Sequence, residues 1–110
     1  MANKYERYRL IPDATVSTPL YQVPLATATI CRSLRIINTN TVRAEVSLYQ
    51  TDSQQAISIT LLDQHIIAPR SEYDALNGIP LNLEELDLLS AKSSVSGVHF
   101  YLSCVEVDRN

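Results

Sequence analysis

The chain has 110 residues and a mass of 12.3 kDa, room for one domain and not for two. Apolar residues make up 45% and charged residues 19%, a balance that folds and that excludes a disordered tail or a coiled coil. The net charge of −3 argues against nucleic acid as a partner, and the lack of any apolar run near the roughly 18–20 residues of a membrane span argues against a membrane.

From the N-terminus, Ala2 to Pro12 mixes Lys4, Arg7 and Arg9 with Tyr5, Tyr8, Leu10 and Ile11. It holds no apolar core segment, so no signal peptide is expected. Two readings fit residues 1–12: an arm laid across a neighbouring subunit, or a first edge strand of a sandwich domain over 13–110. Leu20 to Val23 is a short extended run kept at a sheet margin by Pro19 and Pro24, which lack amide hydrogens. Ala28 to Asn38 alternates, with Ala28, Ile30, Leu34 and Ile36 on one face and Thr29, Cys31, Ser33 and Arg35 on the other; Arg32 interrupts the apolar row. Val42 to Tyr49 alternates too, so one row meets a core and the other faces water or a partner. Asn38-Thr39-Asn40-Thr41 lies between them, and its Asn residues tolerate left-handed backbone, so the unit reads as a β-hairpin.

After a polar turn at Asp52-Ser53-Gln54-Gln55, Ile57, Ile59 and Leu61 alternate with Ser58 and Thr60, and a second short run covers Gln64 to Ala68. Glu72 to Leu76 leads into Asn77-Gly78, a tight-turn dipeptide. Leu81 to Leu89 reads as strand, acidic turn and strand in preference to one helical turn, and Ser93 to Gly97 as a loop. Val98, Phe100 and Leu102 face one way while Val105 and Val107 face the other, a phase slip that a bulge at Ser103-Cys104 would produce. Seven or eight strands, with no helix long enough for a parallel crossover, set the expected fold class: all-β, a single antiparallel β-sandwich, jelly-roll-like.

Reactive groups are sparse. Cys31 and Cys104 have no metal-ligand spacing and read as two free thiols packed in a core, with one disulfide as the alternative. His99 with Ser94 and Asp87 is the nearest approach to a hydrolase triad, but no nucleophile elbow accompanies it. A metal site from His65, His99, Cys31 and Cys104 has no spacing motif behind it. Glu84, Glu85 and Asp87 lack the ligand alternation and central Gly of a calcium loop and read as a solvated turn. Isolated Gly78 and Gly97 cannot cradle a phosphate. No catalytic, metal or cofactor residue is expected.

Leu20-Tyr21-Gln22-Val23-Pro24, followed by the strand Ala28 to Thr39, resembles a pattern of small structural proteins of tailed bacteriophages, though Pro24-Leu25-Ala26-Thr27 lacks that family's Gly and Lys. Ile79 to Leu83, Ser90 to Ser94 and Val98 to Val107 are similar to the family's later strands, with Cys104 where a small Gly is common. The resemblance spans roughly Leu20 to Val107 and contains no reactive group. It implies a virion protein made in the bacterial host cytoplasm: a capsid cement or decoration protein bound to the major capsid protein, or a neck, tail or baseplate component. The doubled aliphatics Ile36-Ile37, Leu61-Leu62, Ile66-Ile67 and Leu88-Leu89 put apolar groups on both faces of their strands. One face suits a core and the other a subunit contact, so a homo-oligomer, with a trimer as the specific expectation, follows. The candidate partner contacts are Tyr5, Tyr8, Arg9, Ile37, Tyr49, Ile66 and Tyr101. The rival reading is a carbohydrate-binding module stacking sugars on Tyr49 or Tyr101.

Overall fold

The alternating runs become strands because each buries one row of side chains and leaves the other to solvent. A computed structural model describes residues 3–52 and 57–109 and places nine strands among them. They are β1 (Asn3–Leu10), β2 (Thr18–Gln22), β3 (Thr27–Asn38), β4 (Ala44–Thr51), β5 (Ser58–Ile67), β6 (Glu72–Asp74), β7 (Leu81–Leu83), β8 (Leu88–Ser93) and β9 (Val98–Asp108). The first sheet runs β1-β9-β3, with β6 and β7 both on the far side of β3; the second runs β2-β8-β4-β5. Every pairing is antiparallel. First pairs with last, second with second-last, and so inward to β4 with β5: the chain is one long hairpin rolled into two facing sheets, the jelly-roll arrangement.

The expected strand count is exceeded because one strand position is split. The β6 and β7 segments lie along successive stretches of β3 and do not pair with each other. Asn77 (φ 52°) and Gly78 (φ 79°) turn the chain between them, and Ile79 N donates to Leu76 O at 2.9 Å. Two consecutive positive φ angles are what an Asn-Gly pair supplies at low steric cost.

The core is filled by Leu34, Ile36, Phe100 and Leu102 from the first sheet against Val46, Leu48, Leu89 and Ala91 from the second, none above 1% exposed. Each fully buried aliphatic among them contributes about 1.5–3 kcal/mol. Ile37, Ile66 and Leu88 are the outward members of their pairs, less buried than Ile36, Ile67 and Leu89.

Four sequence expectations are corrected. The runs on either side of Asn38-Thr39-Asn40-Thr41 are no hairpin, since β3 belongs to the first sheet and β4 to the second. Both bury a face in one core, so the connection crosses between layers and does not fold back in plane. Asn38 secures the crossing: its Nδ2 donates to Val42 O at 2.9 Å and to Ile67 O and Ala68 O at 3.2 Å, and its Oδ1 accepts from Asn40 N at 3.0 Å. Second, the bulge lies on β3, not at Ser103-Cys104. Cys31 faces Cys104 and Ser33 faces Ser103, leaving Arg32 as the extra residue. That residue shifts the phase, so Thr29 and Cys31 point inward before it, and Leu34 and Ile36 after it, while Ile30 turns outward at 38% exposed. Third, β9 keeps one phase from Val98 to Glu106 with no slip; Val105 does face opposite to Val98, Phe100 and Leu102, outward between Tyr5 and Ile30, and is buried there to 8% exposure. Fourth, the two runs after the polar turn form a single strand, β5, with register shifts opposite Leu48. Of that turn, residues 53–55 lie outside the described residues.

A polar group bridges the layers near β2. Tyr21 of the second sheet donates to Glu106 Oε2 at 2.6 Å, and Tyr8 of the first donates to the same oxygen at 2.8 Å. Thr29 Oγ1 lies 2.7 Å from the Tyr21 hydroxyl, and the two tyrosine rings are 4.6 Å apart.

Candidate interaction surface

The alternation of β1 sends Tyr5, Arg7 and Arg9 to the outer face of the first sheet and turns Glu6, Tyr8 and Leu10 toward the core. Cross-strand register then builds a row: Arg9 faces Tyr101, and Tyr101 faces Arg35. The bulge delivers Arg32 to the solvent on the same sheet. Arg35 reaches Glu72 at 2.6 Å, an exposed pair that water screens. Arg7, Arg9 and Arg32 have no ion-pair partner among the described residues. A shallow hollow of about 370 Å³ is lined by Arg7, Arg9 and Tyr101, and another of about 420 Å³ by Arg9, Leu10, Ile11 and His99.

The opposite side of the sandwich ends in β5. Its aliphatics are unusually open: Ile66 is 52% exposed, Ile59 49% and Leu61 37%, and Ile57, just before the strand, is 53% exposed. Ile59 sits opposite Gln50. Ile66 sits opposite Glu45 on the outer face. Between them the strand swells, because Asp63 and Gln64 (φ 49°) oppose the single residue Ser47, whose hydroxyl accepts from Gln64 N at 3.0 Å.

Of the predicted contacts, Tyr5, Arg9, Ile37 and Tyr101 share the outer face of the first sheet, with Ile37 opposite His99. Tyr49 and Ile66 belong to the outer face of the second, Tyr49 flanked by Thr60 and Ser90. Tyr49 and Tyr101 therefore lie on opposite faces of the sandwich. Tyr8 is turned inward, its hydroxyl held by Glu106. Arg7 was legible as part of the basic N-terminal stretch, whereas sequence reasoning missed Arg32 and Asp63 as surface charges, because a lone charge in a strand carries no signal until register shows its neighbours.

The reactive groups stay apart. Asp87 accepts from Glu84 N at 2.9 Å near the β7 end of the sheet, whereas His99 faces Ile37 at the other end of β3, roughly 25 Å away at strand rise. The His65 ring stacks on Tyr73 with centroids 4.0 Å apart. No group of three or more His, Cys, Asp or Glu able to hold a metal occurs among the described residues. Cys31 and Cys104 are free and buried, and burial pushes both thiols up to about 12, so they stay protonated at neutral pH.

No protein-family model matches the chain, and no curated protein matches it in sequence. Its fold does have solved counterparts. A chain of the disulfide-linked pili that form Bacillus endospore appendages matches over 99% of this chain and 88% of its own, with a TM-score of 0.57 and 7% identity. A chain of the T13 IBDV viral particle matches over 97% of this chain with a TM-score of 0.57 and 9% identity. The Gx strain of infectious bursal disease virus gives 100% coverage, a TM-score of 0.56 and 8% identity. This chain spans only 31% and 34% of those two viral chains. At such identities the likeness establishes the fold: an all-β sandwich that also occurs in a pilus and in virus particles.

Proposed function

We propose that the chain is a structural subunit of a phage virion, a cement or decoration protein that stabilises the head through contacts with its own copies and with the major capsid protein. The observation that carries this reading is the open β5 strand, with three large aliphatics, Ile59, Leu61 and Ile66, exposed on the edge of a sheet. Natural proteins blunt or cover such edges, and an uncovered one invites another chain. The scattering of His, Cys and acidic groups over the sandwich supports docking over catalysis. The occurrence of the same fold in virus particles and in a pilus supports an assembling subunit. The separation of Tyr49 from Tyr101 by the thickness of the sandwich weighs against one sugar platform built from both.

The test is the composition of density-purified particles from the encoding phage and host. Peptides of this chain in stoichiometric amount with the major capsid protein are expected in filled heads. Their presence only in tail fractions moves the subunit to the neck or tail. Their absence from particles overturns the virion reading.

A further inference from the structure

The two long end strands of the sandwich, β1 in the first sheet and β5 in the second, differ in chemistry. The β1 edge is basic: Arg7 and Arg9 point outward without an ion pair, beside Tyr5 at 74% exposed. Its register with β9 has no irregularity, so it is straight and open. The β5 edge is aliphatic and acidic. Ile59 and Ile66 stand exposed on it, Asp63 projects from its bulge, and Glu45 flanks Ile66. Neither Asp63 nor Glu45 has an ion-pair partner among the described residues.

We propose that copies of this chain assemble side to side, the β1 edge of one against the β5 edge of the next. The inference rests on the assembling-subunit reading above and names its partner and its contact. Charge selects the pairing. Two β1 edges would bring arginines together, and two β5 edges would bring carboxylates together, whereas β1 on β5 matches opposite signs and covers the aliphatics. Because the two patches are different, the contact is heterologous, and it propagates into a closed ring or a filament according to the rotation between copies. The β5 bulges break a regular backbone ladder, so side chains carry the contact.

Sedimentation velocity at low ionic strength tests this with two double variants, Arg7→Glu with Arg9→Glu and Glu45→Lys with Asp63→Lys, each checked by circular dichroism for an unchanged fold. The wild type is expected to sediment as an assembly, each variant alone as a monomer, and an equimolar mixture of the two variants as an assembly again. The mixture regains it because each variant offers the charge that the other now lacks. An assembly that neither variant disturbs, or a mixture that stays monomeric, overturns the β1-to-β5 contact while leaving a self-assembling subunit standing. A wild type that is monomeric under these conditions overturns self-assembly itself, and particle composition then judges the virion reading separately.

Discussion

Tyr21 and Glu106, 85 positions apart, meet at 2.6 Å across the interior, so one hydrogen bond joins the second strand to the last and ties the two sheets together. Tyr8 shares the same carboxylate oxygen. Glu106 is only 8% exposed, and its partners are hydroxyls and not cations. Replacing it with Leu takes the carboxylate from both hydroxyls; Tyr21 keeps Thr29 as a partner, and the loss is expected to be about 1–3 kcal/mol, whereas Gln keeps an acceptor and costs less. Urea unfolding of Glu106→Leu and Glu106→Gln checks the order; equal losses would place the effect in packing.

Stability should fall in alkali. Burial and the neighbouring Glu106 push the hydroxyls of Tyr8 and Tyr21 well above their ordinary 10.0, and burial takes Cys31 and Cys104 from 9.0 to about 12. In each case the folded state holds its proton at a pH where the unfolded chain has lost it. The stabilisation is therefore complete below about pH 9 and declines as the pH rises toward 12. Melting temperature against pH is expected to stay level from 7 to about 9 and then drop, with Cys31→Ala flattening part of the decline.

The thiols offer a second check. Cys31 and Cys104 face each other across β3 and β9 as free, buried groups. A disulfide-exchange reagent should label neither at neutral pH in the native protein and both after denaturation, without a reductant. Labelling of neither thiol after denaturation would mean a bond between them.

Asn38 gathers four backbone contacts at the crossing from β3 to β4, one of them to Asn40 N and the others to the carbonyls of Val42 in the connection and of Ile67 and Ala68 at the end of β5. Asn38→Ala strands several buried groups and is expected to cost about 2–4 kcal/mol, near the top of the range for a single polar substitution. Asn38→Asp should be no better, because a carboxylate would face the three carbonyls that the amide now serves. A loss of unfolding free energy under about 0.5 kcal/mol, the size of an ordinary surface change, would contradict this role.

Fold class was legible because alternation is local: Ala44, Val46 and Leu48 announce a half-buried strand without any knowledge of partners. Pairing was not legible, because a turn such as Asn38 to Thr41 carries the same residues whether it closes a hairpin or crosses between sheets. Arg32 breaks the apolar row in the sequence, but nothing local marks that break as the bulge that sets the phase on either side of it. Glu106 gave no warning, since a carboxylate between valines reads as an outward position until Tyr8 and Tyr21 arrive from elsewhere in the chain. The doubled aliphatics Ile36-Ile37, Ile66-Ile67 and Leu88-Leu89 did mark one inward and one outward member each. The basic stretch of Lys4, Arg7 and Arg9 was legible, but which of its charges share a face with Tyr101 and Arg35 follows only from the register of β1, β9 and β3.

A subunit that docks its own copies gains mass with concentration, and light scattering of the purified protein over a concentration series at low salt reads that directly. A molar mass rising above 12.3 kDa to a multiple of it, and falling back as salt is added, is the predicted result. A molar mass fixed at 12.3 kDa from the lowest to the highest concentration would contradict it.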